Sequence, residues 1–195
     1  MNIKKVNLAI FASGNGTNAE AIMDHFKDDS TISVALVLSN NPTAGVLARA
    51  HRFGVPTIVF NREQFRSDVI VEKLKNIHVT HVVLAGFLWL VPENIIQAFP
   101  HRIINIHPAL LPKFGGKGMY GEHVHQAVVA AREPQTGITI HEVDNRFDEG
   151  KIIFQASCPV DPTDSAATIA GKVHSLEYAH FPRIIAQWAS GLAVG

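Results

Sequence analysis

Asn105 and His107 are the two residues whose types and spacing first suggest chemistry. They stand two apart in an apolar, β-branched run, residues 103–107, which Pro108 brings to a stop. On a strand, positions two apart share a face. An amide donor and a titratable imidazole would then lie side by side at the carboxyl end of a strand, with Ile104 and Ile106 turned into packing. Open α/β sheets bind ligands in the crevice beyond such strand ends. The plainer alternative is a core strand ending in a proline turn, with His107 hydrogen-bonded and inert.

The elements around this pair must place it. Residues 6–11 form a continuous apolar run, expected of a strand buried on both faces of a parallel sheet. Ser13-Gly14-Asn15-Gly16-Thr17-Asn18 follows, then a helical pattern through Phe26. A strand, a glycine loop and a helix start can cradle an anion, because glycine lets the backbone come close and the first helical amides are free. The loop lacks the third glycine of a dinucleotide fingerprint and the Gly-Lys-Ser/Thr of a nucleotide loop, so a single phosphomonoester suits it better. Equally, it could be an ordinary turn.

Further strands are predicted at 32–38, 57–60, 81–84, 137–143 and 152–160, and helices at 44–53, 62–76, 92–99, 123–132 and 165–189. Asn61 and Asp164 are the expected caps of the second and last of these helices. Alternating strands and helices imply right-handed crossovers. The fold class expected is α/β: an open, mostly parallel, Rossmann-like sheet with helices on both faces and an antiparallel edge near the C-terminus. The whole chain, 1–195, reads as one domain. The loop at 85–92 is apolar at a strand's carboxyl end, which suits a flat organic ligand or packing on the next helix. Four glycines within 113–121 suit a mobile cover over a strand-end site. His123 and His125 could share a face only on a strand; the helical reading separates them, and no metal is expected.

Composition narrows the partners. Lys+Arg and Asp+Glu balance at 17 each, which does not favour nucleic acid or an anionic membrane. Hydrophobic content of 47% with 17% charged suits a globular chain. Cys158 is the single cysteine and fits a reducing, cytoplasmic setting. The start of the chain, residues 1–12, carries two lysines before a short apolar run, but reads as a first strand rather than a signal segment.

These motifs resemble the folate-dependent formyltransferases, and within them the branch acting on glycinamide ribonucleotide. The resemblance runs nearly end to end. It rests on the loop at 13–18, Val-Val-Leu-Ala-Gly-Phe at 82–87, Asn-Ile-His-Pro at 105–108, Leu-Leu-Pro-Lys-Phe at 110–114, the His141-to-Asp148 spacing and the Glu177 segment. Ala109 stands where a serine is usual, and Trp89 where some members carry a basic residue.

The resemblance implies transfer of the formyl group of 10-formyltetrahydrofolate, a cosubstrate, to the amine of glycinamide ribonucleotide in purine synthesis. It implies a catalytic set of Asn105, His107 and Asp148. Gly16, Thr17 and Asn18 would bind phosphate, and His174, Ser175, Leu176 and Glu177 the rest of the ribonucleotide. Arg62, Leu88, Trp89, Leu90, Val91, Asn105, Asp144, Asn145, Arg146 and Phe147 would surround the folate. The chemistry agrees with these types: a developing oxyanion wants donors, and a carboxylate beside His107 would favour its imidazolium. Partners are expected to be small molecules only, with the chain a monomer or weak homodimer. Sister enzymes acting on a transfer RNA or releasing formate are expected to carry further domains. A hydrolase on the same scaffold and a non-catalytic binding module are the rival readings.

Overall fold

The computed structural model describes residues 5–192. Residues 1–4, part of the segment read above against a signal sequence, lie outside the described residues. A single seven-stranded sheet runs through the molecule in the order β3-β2-β1-β4-β5-β6-β7. Strands β1 (Val6–Phe11), β2 (Ile32–Ser39), β3 (Thr57–Val59), β4 (His81–Leu84) and β5 (Ile103–His107) pair in parallel. Strands β6 (Gln135–Glu142) and β7 (Ile152–Pro159) add an antiparallel edge. The expected architecture is therefore the observed one.

Alternation along the central strands divides the core between two helical layers. Leu8, Ile10, Val83, Ile104 and Ile106 face one layer, with α1 (Thr17–Phe26), α2 (Gly45–Arg52), α6 (Glu122–Ala130) and α7 (Ala166–Ala189). Ala9, Phe11, Val82, Leu84 and Ile103 face the other, with α3 (Arg62–Arg66), α4 (Val69–Asn76) and α5 (Glu93–Ala98). The chain winds outward from β1 to β3, then returns to β4. The order of winding thus reverses between β1 and β4, which opens a crevice at their carboxyl ends.

Two local expectations are corrected. The helix read over 62–76 is two helices, because Ser67 is extended (φ −90°, ψ 173°) and its hydroxyl donates to the Gln64 carbonyl. Ser and Asp compete locally for backbone hydrogen bonds, and Ser67-Asp68 is where they win. Asn61 does cap α3, in a reciprocal box with Gln64. Asp164 does not cap α7: Ser165 does, accepting from the Thr168 amide at 3.1 Å. The Asp164 carboxylate instead takes the Asp161 amide and the Lys172 ammonium.

Candidate active site

Strand β5 delivers Asn105 and His107 to the same side, and β6 supplies a neighbour. In the antiparallel register Asn105 lies opposite His141, and His107 opposite Thr139. Thr139 then fixes the turn that ends β5. Its hydroxyl donates to the Ala109 carbonyl at 2.7 Å and accepts from the Leu111 amide at 2.9 Å, all buried. Gln155 of β7 donates to both the Thr139 hydroxyl and the Leu111 carbonyl. The residue at 109 contributes only its backbone here, and its side chain is fully buried.

Asp148 arrives from the loop after β6. Gly150 makes that approach possible: a Cβ there would lie 1.8 Å from the Glu142 carbonyl oxygen. One carboxylate oxygen accepts the Gly116 amide at 3.0 Å and stands 3.5 Å from His107 Nδ1. The other stands 3.5 Å from the Asn105 amide nitrogen and 3.6 Å from His141 Nε2. His141 Nδ1 lies 2.8 Å from its acceptor, the Glu142 carbonyl, so that nitrogen carries the hydrogen. Its Nε2 lies between the Asn105 side-chain nitrogen at 3.0 Å and the Asp148 carboxylate at 3.6 Å. A buried four-membered group results: Asn105, His107, His141 and Asp148.

Burial sets the charges. It pushes the His107 ring below the ordinary histidine value, against the opposing pull of Asp148 and the Phe114 carbonyl. Burial pushes the Asp148 carboxyl up, but His141, His107 and the Gly116 amide together hold it below its usual range. The pair at rest is thus a carboxylate facing a neutral imidazole. The carboxylate does favour the His107 imidazolium, but the loss of hydration opposes it more strongly. His107 Nε2 lies 2.7 Å from the Phe114 carbonyl, to which it donates. Its Nδ1 lone pair is left toward Asp148.

These groups open onto a cleft of about 1090 Å³ across the carboxyl ends of β1, β4 and β5. At one end lies the loop before α1. Gly16 adopts φ 77°, and a Cβ on it would meet Val46 at 2.5 Å. No side chain caps α1, as its N-cap is Gly16. Asn18 donates from its side chain to Glu177 at 2.9 Å, while its own Oδ1 is buried and unpaired. Glu177 is nearly buried, and burial pushes its carboxyl up to about 7 despite the Asn18 hydrogen bond.

The other end is aromatic. Phe60, Phe65, Phe87 and Trp89 form one cluster, with Phe60 and Phe65 stacked at 5.0 Å. The Arg62 guanidinium lies over the Trp89 ring at 4.5 Å. The Ser13 hydroxyl accepts the Leu88 amide, and the Ser13 amide donates to the Gly86 carbonyl, so the two ends are tied together.

The cleft gathers Gly16, Thr17, Asn18, Arg62, Leu88, Trp89, Leu90, Val91, Asn105, His107, Phe147, Asp148, His174 and Glu177. It does not gather Asp144, Asn145, Arg146, Ser175 or Leu176. Asp144 and Arg146 pair with each other across an exposed turn. The Ser175 hydroxyl turns back to the Gly171 carbonyl, and Leu176 packs on the core. On a helix, residues three or four apart share a face: His174 lies three before Glu177 and four before Tyr178, so these three meet the cleft while Ser175 and Leu176 turn away.

Phe65, Tyr120 and Tyr178 join the wall without a signal in the sequence, His125 joins it although the sequence raises it only as a metal ligand, and His141 meets Asn105 and Asp148 behind the wall. His141 had a usable signal, since a histidine on the strand paired with β5 must face Asn105 or its opposite side. Among the described residues no three histidine, cysteine or acidic side chains are grouped to hold a metal ion. No helix among them is long and apolar enough to cross a membrane.

The sequence and the fold both resemble known proteins. Residues 6–185 match the family described as formyl transferase. The chain is 37% identical over 185 residues to the phosphoribosylglycinamide formyltransferase of Bacillus subtilis (strain 168), covering 92% of each chain. It is 36% identical over 189 residues to the chloroplastic enzyme of that name from Arabidopsis thaliana, covering 93% of this chain and 65% of that one. Among solved structures, the phosphoribosylglycinamide formyltransferase of Anaplasma phagocytophilum superposes with a TM-score of 0.87 at 33% identity, over 95% of this chain and 87% of that one.

Proposed function

The chain belongs to the formyl transferase family, and from that premise we propose that it moves the formyl group of 10-formyltetrahydrofolate onto the amine of glycinamide ribonucleotide. The observation that carries this reading is the meeting of Asp148 with Asn105 and His107. Groups as many as 43 positions apart converge on one point of a cleft with a polar end and an aromatic end. The two ends suit two different ligands, and the convergence lies between them.

The polar end takes the ribonucleotide. Its phosphate faces the Gly16–Asn18 turn and the uncapped start of α1, where backbone amides favour an anion. Glu177 and His174 face the rest of the acceptor. The aromatic loop and Arg62 take the folate. The acceptor amine attacks the formyl carbon, a C–N bond forms, and the carbonyl oxygen gathers negative charge. That charge is stabilised by donors in a site poor in water, with the Asn105 amide the nearest.

His107 is neutral at rest, so it serves first as a base. Once the Phe114 carbonyl releases Nε2, the ring carries its hydrogen on Nδ1, toward Asp148, and the freed Nε2 receives the proton that the attacking nitrogen loses; Asp148 stabilises the resulting imidazolium. Nε2 then returns the proton to the departing folate nitrogen as the old C–N bond breaks. Neither a covalent enzyme intermediate nor a metal is needed in this scheme. We further propose that the chain acts as one domain, in the cytoplasm, as a monomer or weak homodimer.

The test is formyl transfer with and without glycinamide ribonucleotide. Ribonucleotide-dependent loss of the donor's formyl group, with formylated product, is the expected result. Release of formate without the ribonucleotide would replace this reading by a hydrolase. Binding of both ligands without turnover would replace it by a binding module.

A further inference from the structure

The chemistry proposed above leaves one buried group of the cleft without a task. His125 sits on α6, is only 3% exposed, and forms part of the cleft wall. Its Nδ1 is buried with no hydrogen-bond partner. Buried polar atoms are nearly always paired, so one left open in a ligand cleft needs an explanation. His123, two residues earlier, stacks on Tyr120 instead, so the two histidines have separate surroundings.

The neighbours indicate what the open atom meets. His125 shares the cleft wall with His174 of α7 and His107 of β5, while Glu122 lies on its own helix. It lines the same cleft as both the ribonucleotide wall and the reacting centre. A second unpaired buried atom, Oδ1 of Asn18, belongs to another residue of the same cleft, whose side-chain nitrogen donates to Glu177. Burial keeps the His125 ring below the ordinary histidine value and hence neutral near pH 7. A neutral ring pairs with a hydroxyl or amide of a ligand rather than acting as a fixed charge.

We infer that His125 is a further anchor for the acceptor, its Nδ1 exchanging a hydrogen bond with the part of the phosphorylated riboside that lies between phosphate and amine. The inference rests on the acceptor proposed above. His125 is a binding residue in this scheme and carries no proton in the reaction.

Two substitutions in the full chain separate this role from simple packing. Asparagine places its amide where Nδ1 stands; glutamine reaches toward Nε2 instead. His125→Asn is expected to hold the KM for glycinamide ribonucleotide within about threefold of the parent, and His125→Gln to raise it about tenfold, the effect of one buried hydrogen bond. In both, kcat and the KM for the folate donor stay within about twofold, since neither group touches the donor or the transferred proton. Equal ribonucleotide KM values in the two variants, or a parallel rise for both substrates, would overturn the inference.

Nitrogen NMR of the parent provides a measurement that does not depend on a variant's folding. Ribonucleotide alone is expected to shift the His125 ring signals, and a non-reactive folate analogue alone to leave them in place. No shift with ribonucleotide would also overturn the inference. Turnover by the parent keeps the two claims apart. Turnover with no effect at His125 defeats this role alone, whereas no ribonucleotide-dependent turnover defeats the acceptor reading and this role together.

Discussion

Asp148 and His107 are held in states that make opposite demands on pH. Because burial holds His107 below 6.5, the base form persists into mild acid, and the acid limb of the kcat profile should lie below that value. Asp148 opposes that fall, so Asp148→Asn should move the limb to still lower pH while reducing kcat by roughly 10²–10³. A limb that stays in place would show that the two groups are not coupled. Glu177 has the reverse sign. Its folded value of about 7 exceeds the ordinary 4.5, so its contribution is fully present below 4.5 and is lost as pH rises through 7. Glu177→Gln should therefore stabilise the fold more at pH 8 than at pH 5, by at most about 3 kcal/mol, while weakening ribonucleotide binding. Thermal melts at the two pH values check the first outcome and KM the second; equal gains at both pH values would refute the buried, strained carboxylate. Residue types showed which groups could titrate. They did not show that burial outweighs Asp148 at His107, because depth depends on elements distant in the chain.

At the level of elements, the site hangs on a short turn held from the neighbouring strand. Thr139→Val keeps shape but removes the hydroxyl that serves both Ala109 and Leu111. Leaving those buried backbone groups unpaired should cost about 1–3 kcal/mol. Because the same turn carries His107, kcat should fall with stability, and urea unfolding beside steady-state kinetics would show whether the two move together. Loss of stability with unchanged kcat would mean the turn does not position the ring. The strands were readable in advance because apolar runs and period-two alternation repeat over many residues. The break at Ser67 and the cap at Ser165 were less so, since a single serine competes with a helix only where its neighbours permit. The face of α7 that meets the cleft was half readable: helical spacing selects His174 and Glu177, whereas a contiguous stretch around Glu177 adds Ser175 and Leu176, which point elsewhere.

At the scale of the whole molecule, the reversal of winding between β1 and β4 sets one polar and one aromatic end along a single crevice. A chain with two half-sites should be stabilised by either ligand alone. Saturation at a hundred times Kd adds about 2.7 kcal/mol, which for a chain of this size is a rise of roughly 5–10 °C in Tm. Ribonucleotide and a folate analogue should each give such a rise in a thermal shift assay; a response to only one would remove the other half-site. The glycine-rich segment gives the fold a further property. Its Gly116 amide hydrogen-bonds the carboxylate that faces His107, so the backbone itself registers the charge of the reacting pair. Glycine amides resonate apart from most others, and this one should act as a built-in indicator: acid that neutralises Asp148 should move the Gly116 signal, and Asp148→Asn should freeze it. The molecule would then report the ionisation of its own centre without any dye, label or turnover.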